Sequence, residues 1–130
     1  MTTVYVDTSA LGRMLLDEPD ATAIEDSLRA YDRRVASRLL RVELRRVGLR
    51  TNSLDGVGEL LAEVALIPFD ESILTAAETV PPSTIATLDA IHLATAVRLA
   101  KAGELDALMT YDKQLTTGAK QHGITVLSPS

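Results

Sequence analysis

The chain has 130 residues, of which 46% are hydrophobic and 24% charged, with a net charge of −5 and no cysteine. This length fits a single domain, residues 1–130, that buries roughly two-thirds of its unfolded surface, and the composition excludes a disordered or fibrous protein. Without cysteine there are no disulfides, thiolate metal sites or cysteine nucleophiles, so any metal must be held by oxygen or histidine.

Met1-Thr2-Thr3-Val4-Tyr5-Val6-Asp7 has no basic start and no long apolar run. Neither a signal peptide nor a membrane anchor is therefore expected, and the expected location is the cytoplasm. Val4-Tyr5-Val6 reads as a short strand ending at Asp7, followed by a helix from Thr8 to about Leu16. Pro19-Asp20 opens a second helix carrying Ala23, Ile24 and Leu28 at helical spacing to about Ala30. Val35-Ala36 is a second strand, and Ser37 can cap an arginine-rich helix over Arg38–Arg50.

The arginines are segregated. Residues 29–50 hold eight (29, 33, 34, 38, 41, 45, 46 and 50) against Asp32 and Glu43, a balance of +6, while the remainder holds 5 basic and 16 acidic residues, a balance of −11. The overall charge argues against a nucleic-acid partner. A basic sector on an acidic body can still meet RNA locally, and a solvated helix face is the competing reading.

Asn52–Gly58 is turn-like. A helix from Gly58 to Glu63 leads to a strand at Ala65-Leu66-Ile67, ended by Pro68. Asp70–Glu78 reads as helix, Pro81-Pro82-Ser83 as loop, and Ile85–Ala102 as a long helix stopped by Gly103. A strand at Ala107–Thr110, a helix over Asp112–His122 and a short strand at Ile124-Thr125-Val126 complete the chain. Strands alternating with helices predict an α/β fold, a three-layer α/β/α sandwich with a short, mainly parallel central sheet. Ligands in such sheets bind at the carboxyl ends of the strands.

Four carboxylates point to that edge. With Leu39 at zero and about 100° per residue, Leu40, Leu44 and Val47 fall near 100°, 140° and 80°, and Arg38, Arg41 and Arg45 between about 200° and 260°. Glu43 falls near 40°, inside the apolar arc, where an unpaired charge costs several kcal/mol. An ion pair with an arginine, or a place at the edge of the apolar stripe, is the competing explanation. Asp7 follows one buried strand and Asp112 follows another, although helix capping explains either. Asp89 lies on the most apolar helix, where its first-turn position also suits the helix dipole. His92 shares its face and reads as a hydrogen-bonded core histidine, with a metal-ligand role as the alternative. Asp106, at the start of its strand, belongs some 15 Å away. Together, Asp7, Glu43, Asp89 and Asp112 can stay ionised only around hard cations, for which oxygen ligands select Mg²⁺ or Mn²⁺, and the matching chemistry is phosphodiester hydrolysis.

The chain resembles the PIN-domain ribonucleases over its whole length, and within them the VapC toxins of type II toxin–antitoxin pairs. The resemblance is carried by Tyr5-Val6-Asp7-Thr8-Ser9-Ala10-Leu11, Arg41-Val42-Glu43-Leu44, Leu88-Asp89-Ala90-Ile91-His92-Leu93-Ala94-Thr95-Ala96 and Thr110-Tyr111-Asp112. It implies a Mg²⁺- or Mn²⁺-dependent endoribonuclease acting on tRNA or rRNA stem-loops. It also implies homodimerisation and neutralisation by a VapB-type antitoxin in a hetero-oligomer. Asp7 and Asp89 match principal metal ligands, Glu43 a further ligand or water-positioner, Asp112 the fourth acid, and Thr8, Ser9 and Thr110 hydroxyls lining such sites. A degenerate PIN domain that only binds RNA or a protein is the alternative. A von Willebrand A-type adhesion module would need a serine where Leu11 stands, and a receiver domain would need an acidic pair at the first strand end.

Overall fold

The computed structural model describes all residues, 1–130. The elements run β1 (Thr3–Val6), α1 (Thr8–Leu15), α2 (Ala21–Arg29), β2 (Arg33–Ser37) and α3 (Leu39–Arg50). A 3₁₀ turn at Leu54–Gly56 then leads into α4 (Val57–Ala62), β3 (Val64–Ile67), α5 (Glu71–Ala77), α6 (Thr87–Lys101), β4 (Ala107–Met109), α7 (Lys113–Gln121) and β5 (Val126–Leu127).

The five strands form one sheet in the order β3-β2-β1-β4-β5, and every pairing is parallel. Helices α1 to α4 pack on one another, as do α5 to α7, giving the two layers that flank the sheet. The expected α/β sandwich is therefore present, with a sheet that is parallel throughout. From β1 the chain winds outward through β2 to β3, then returns to the other side of β1 with β4. The order of winding reverses between β1 and β4, and at such a switch point the loops diverge and leave a crevice above the carboxyl ends.

Side-chain size and burial explain the layers. Val4, Tyr5, Val6, Leu108 and Met109 on the two central strands are fully buried, as strands covered on both faces require. Helix α6 buries Ala90 and every residue from His92 to Val97, which explains why its sequence is apolar on nearly every side. No helix is long and apolar enough to cross a membrane.

Several boundaries differ from expectation for local reasons. Strand β2 begins at Arg33, two residues early, because arginine stems can lie along a strand while their heads find partners: Arg33 reaches the Thr3 hydroxyl and Arg34 pairs with Glu25. Helix α3 starts at Leu39 with Arg38 at the N-cap position, so Ser37 stands one residue before the cap, although its Oγ still accepts from Leu39 N–H at 3.1 Å. Helix α6 starts at Thr87 because Ala86 is extended. The last strand is displaced to Val126–Leu127: Gly123, at φ +76°, turns the chain, and Ile124 is spent on the core instead of the ladder.

Candidate active site

Strands β1 and β4 end side by side, Val6 pairing with Met109, so Asp7 and Thr110 sit level at the switch point. Asp7 N–H donates to Met109 C=O at 3.0 Å, continuing the ladder by one step. Asp7 then caps α1, and Asp112 caps α7 by accepting from Leu115 N–H at 2.8 Å through Oδ1. The capping reading of both residues is thus correct, and it coexists with their facing the crevice, because each carboxylate has a second oxygen.

Asp7 is 5% exposed. Its Oδ2 accepts from the hydroxyls of Ser9 at 2.8 Å and Thr110 at 2.9 Å. Those hydroxyls in turn accept from the backbone N–H groups of Tyr111 at 2.8 Å and Asp112 at 3.0 Å. Each hydroxyl gives its one proton to Asp7, and the start of α1 is tied to the turn after β4. Ser9 and Thr110 therefore hold a carboxylate in place. The Oδ1 atom stays open to the crevice, with His92 Nε2 3.8 Å away, too far for a hydrogen bond.

Glu43 on α3 is half-buried, as its place in the apolar arc predicts. Its Oε1 accepts from the Thr8 hydroxyl at 2.7 Å and from His92 Nε2 at 2.6 Å. No arginine pairs with it, so the alternative of an Arg ion pair fails: Arg41, Arg45, Arg46 and Arg50 of α3 are all exposed. Burial pushes Glu43 up, but the hydrogen bond and charge of His92, with help from Thr8, hold it below the usual glutamate range. For His92 burial acts downward, and the Glu43 hydrogen bond with the charges of Asp7, Glu43 and Asp89 raises it on balance.

Asp89, one turn before His92 on α6, accepts no stabilising hydrogen bond. Burial, then repulsion from Asp112 and Asp7, with a smaller part from Glu43, pushes it up to about 6, against a partial offset from His92. Asp89 thus feels the charge of the other three acids, so the structure brings the sequence-predicted set to one neighbourhood around it. Asp106 lies at the opposite end of the sheet, accepting from Thr3 N–H at 2.8 Å.

Sequence reasoning missed Tyr5. Its hydroxyl accepts from Ser37 N–H at 3.0 Å and lies 2.6 Å from His92 Nδ1, and burial raises its pKa well above the ordinary tyrosine value. The available signal was a polar-tipped aromatic between Val4 and Val6 in a buried strand, since a buried tyrosine hydroxyl must find a partner. It is also two residues before Asp7, hence on the same face of the sheet.

The donor set fits a hard cation. Asp7 Oδ1, Glu43 Oε2, Asp112 Oδ2 and both oxygens of Asp89 are uncommitted, and the repulsion of Asp89 by the other three is what a divalent ion would relieve. No three acidic or histidine side chains are drawn close enough to cage an ion by themselves.

Fold and site together define a parallel α/β domain with a set of acidic side chains at its topological switch point. The chain belongs to the PIN domain family, whose model matches residues 4–128. Among relatives, the chain is 38% identical over 132 residues to "Ribonuclease VapC46" of Mycobacterium tuberculosis, covering 100% of both chains. It is 37% identical over 133 residues to "Ribonuclease VapC47" of the same species, covering 97% of this chain and 96% of that one. Among solved structures, a toxin–antitoxin complex from Klebsiella pneumoniae superposes with a TM-score of 0.72 at 19% identity, covering 98% of each chain. VapBC2 from Rickettsia felis, bound to a DNA fragment from its promoter, gives 0.74 at 12% identity, covering 99% of this chain and 100% of that one.

Proposed function

We propose that the chain is a Mg²⁺- or Mn²⁺-dependent endoribonuclease, the toxin of a VapBC-type pair, hydrolysing phosphodiester bonds in structured RNA such as tRNA or rRNA stem-loops. The observation that carries this reading is that all four carboxylates keep at least one uncommitted oxygen at the switch point, with Asp89 repelled by the other three. The ribonuclease names of full-length relatives support it. A small VapB-type antitoxin is the partner this reading assigns, in line with the toxin–antitoxin complexes among the structural neighbours, and the toxin is expected to be a cytoplasmic homodimer.

Asp7, Asp89, Glu43 and Asp112 would hold the cation, some of them through its bound waters, and when bound it supplies Lewis-acid polarisation of the scissile phosphate and a more acidic water. The rest is done by the chain's own groups. Ser9 and Thr110 lock Asp7, Thr8 and His92 lock Glu43, and the α7 cap locks Asp112, so the ligand oxygens are already oriented before RNA arrives. The exposed Arg38, Arg41 and Arg45 supply a basic surface on the helix that carries Glu43.

The test is cleavage of structured RNA by purified protein with Mg²⁺ or Mn²⁺. Activity should vanish with EDTA and in Asp7→Asn and Asp89→Asn, each retaining the wild-type circular dichroism spectrum. Unchanged cleavage in both variants refutes the assignment, and RNA binding without cleavage in the wild type favours a binding-only PIN domain.

A further inference from the structure

Tyr5 and His92 are both fully buried, so neither can touch RNA, yet they form a polar line through the core. It starts at the Ser37 N–H, passes through Tyr5 Oη to His92 Nδ1, and leaves through His92 Nε2 to Glu43 Oε1. The two rings meet edge to face, with centroids 5.8 Å apart and planes at 83°, which fixes the tilt of the imidazole. A histidine serving only the core would close on other interior groups. This one ends on a carboxylate that opens to the crevice.

The direction of the last bond follows from chemistry. An ionised Glu43 can only accept, so the proton between it and His92 sits on Nε2 whether the ring is neutral or charged. The neutral form then presents a bare Nδ1, which the Tyr5 hydroxyl can serve because the Ser37 N–H already occupies an acceptor position on Tyr5. His92 thus delivers an N–H to Oε1 and leaves Oε2 without a hydrogen-bond partner. Without it, Glu43 keeps only the Thr8 hydroxyl, and a three-bond side chain regains rotamer freedom.

We propose that Tyr5 and His92 are positioning residues, a buried strut from the β2–α3 junction that sets the Glu43 carboxylate for a divalent cation. This rests on the metal-dependent reading given under Proposed function. Outer partners that orient a ligand typically contribute about 10–100-fold to metal affinity.

The experiment measures Mn²⁺ binding to the full chain without RNA, by the electron paramagnetic resonance signal of free Mn²⁺, with folding checked by circular dichroism. His92→Leu should weaken Mn²⁺ binding by about tenfold or more. His92→Gln, which keeps an N–H donor at the same reach, should restore most of it, and Tyr5→Phe should fall between. In a Glu43→Gln background, His92→Leu should add less than about threefold, because the group it positions is gone. Wild-type affinity in folded His92→Leu, beside weakened binding in Asp7→Asn, overturns the strut and leaves the metal site standing, as does a His92→Leu effect of the same size with and without Glu43. If His92→Leu does not fold, Tyr5→Phe decides, wild-type affinity overturning the proposal. Undiminished binding in Asp7→Asn overturns the metal reading itself.

Discussion

Asp89→Asn should make the protein more stable while abolishing its activity. The Asp89 carboxyl titrates at about 6 in the folded chain against an ordinary value of 3.8. Between those pH values the folded state binds the extra proton, so stability falls as pH rises through that window, and the full penalty is present above pH 6. A gap of that size corresponds to about 3 kcal/mol for a fully buried group. Asp89 is only partly buried, and solvent screening reduces this to about 1.5 kcal/mol. An ionised aspartate in the first turn of α6 gains about 0.5 kcal/mol from the helix dipole, which asparagine forfeits. The net gain of about 1 kcal/mol corresponds to a rise in melting temperature of roughly 4 °C for a chain of this length. Thermal unfolding followed by circular dichroism in EDTA, at pH 7.5 and at pH 3.5, reads it directly. The gain should appear at the higher pH and vanish at the lower one, where both forms of residue 89 are neutral. No gain at pH 7.5, or an equal gain at both, refutes the electrostatic account of the crevice.

Other perturbations separate capping, packing and surface charge. Asp112→Asn keeps an acceptor for Leu115 N–H and removes a charge that repels Asp89, so it should unfold no lower than wild type, whereas Asp112→Ala relieves the same charge but loses the cap and should fall about 1 kcal/mol below Asp112→Asn; equal melting temperatures for the two refute the capping role. Gly48→Ala would place a Cβ 2.8 Å from Val57 Cγ2 and 3.1 Å from the Leu54 Cα, so the turn after α3 must move; the expected loss of about 1–3 kcal/mol exceeds what alanine gains as a helix former, and an unchanged chemical-denaturation midpoint contradicts it. Replacing Arg38, Arg41 and Arg45 together by Gln, in an Asp7→Asn background that cannot cleave, should reduce the logarithmic salt slope of RNA binding by about 2–3; an unaltered slope leaves them as solvated surface.

How much of this was visible beforehand depends on distance along the chain. Asp7 and Asp112 could be located because a strand and the residue after it are local, and a parallel α/β order fixes which edge receives them. Glu43 was visible because a helical period is local too, and it could be placed on the buried arc without knowing its neighbours. What lay across the fold was hidden. Tyr5 and His92 stand 87 positions apart, so neither residue's pattern names the other. His92 was read as a hydrogen-bonded core residue, and that is what it is; what could not be read was that one of its partners would be Glu43. The hydroxyls of Ser9 and Thr110 were expected to line the crevice, and the structure gives them Asp7 to hold. Strand β5 was displaced because Ile124 looks the same to a periodicity whether it pairs or packs.

The division of labour within single carboxylates bears on how such a protein can change over generations. Asp7 and Asp112 each spend one oxygen closing a helix and keep the other for the crevice. An amide closes a helix as well as a carboxylate does, so, on the metal-dependent function proposed above, either aspartate can become asparagine with the architecture intact and the chemistry gone. Silenced copies that fold normally, and present the same surface to whatever binds them, are therefore a single substitution away from an active one. In this chain inheritance can uncouple shape from activity at two separate positions.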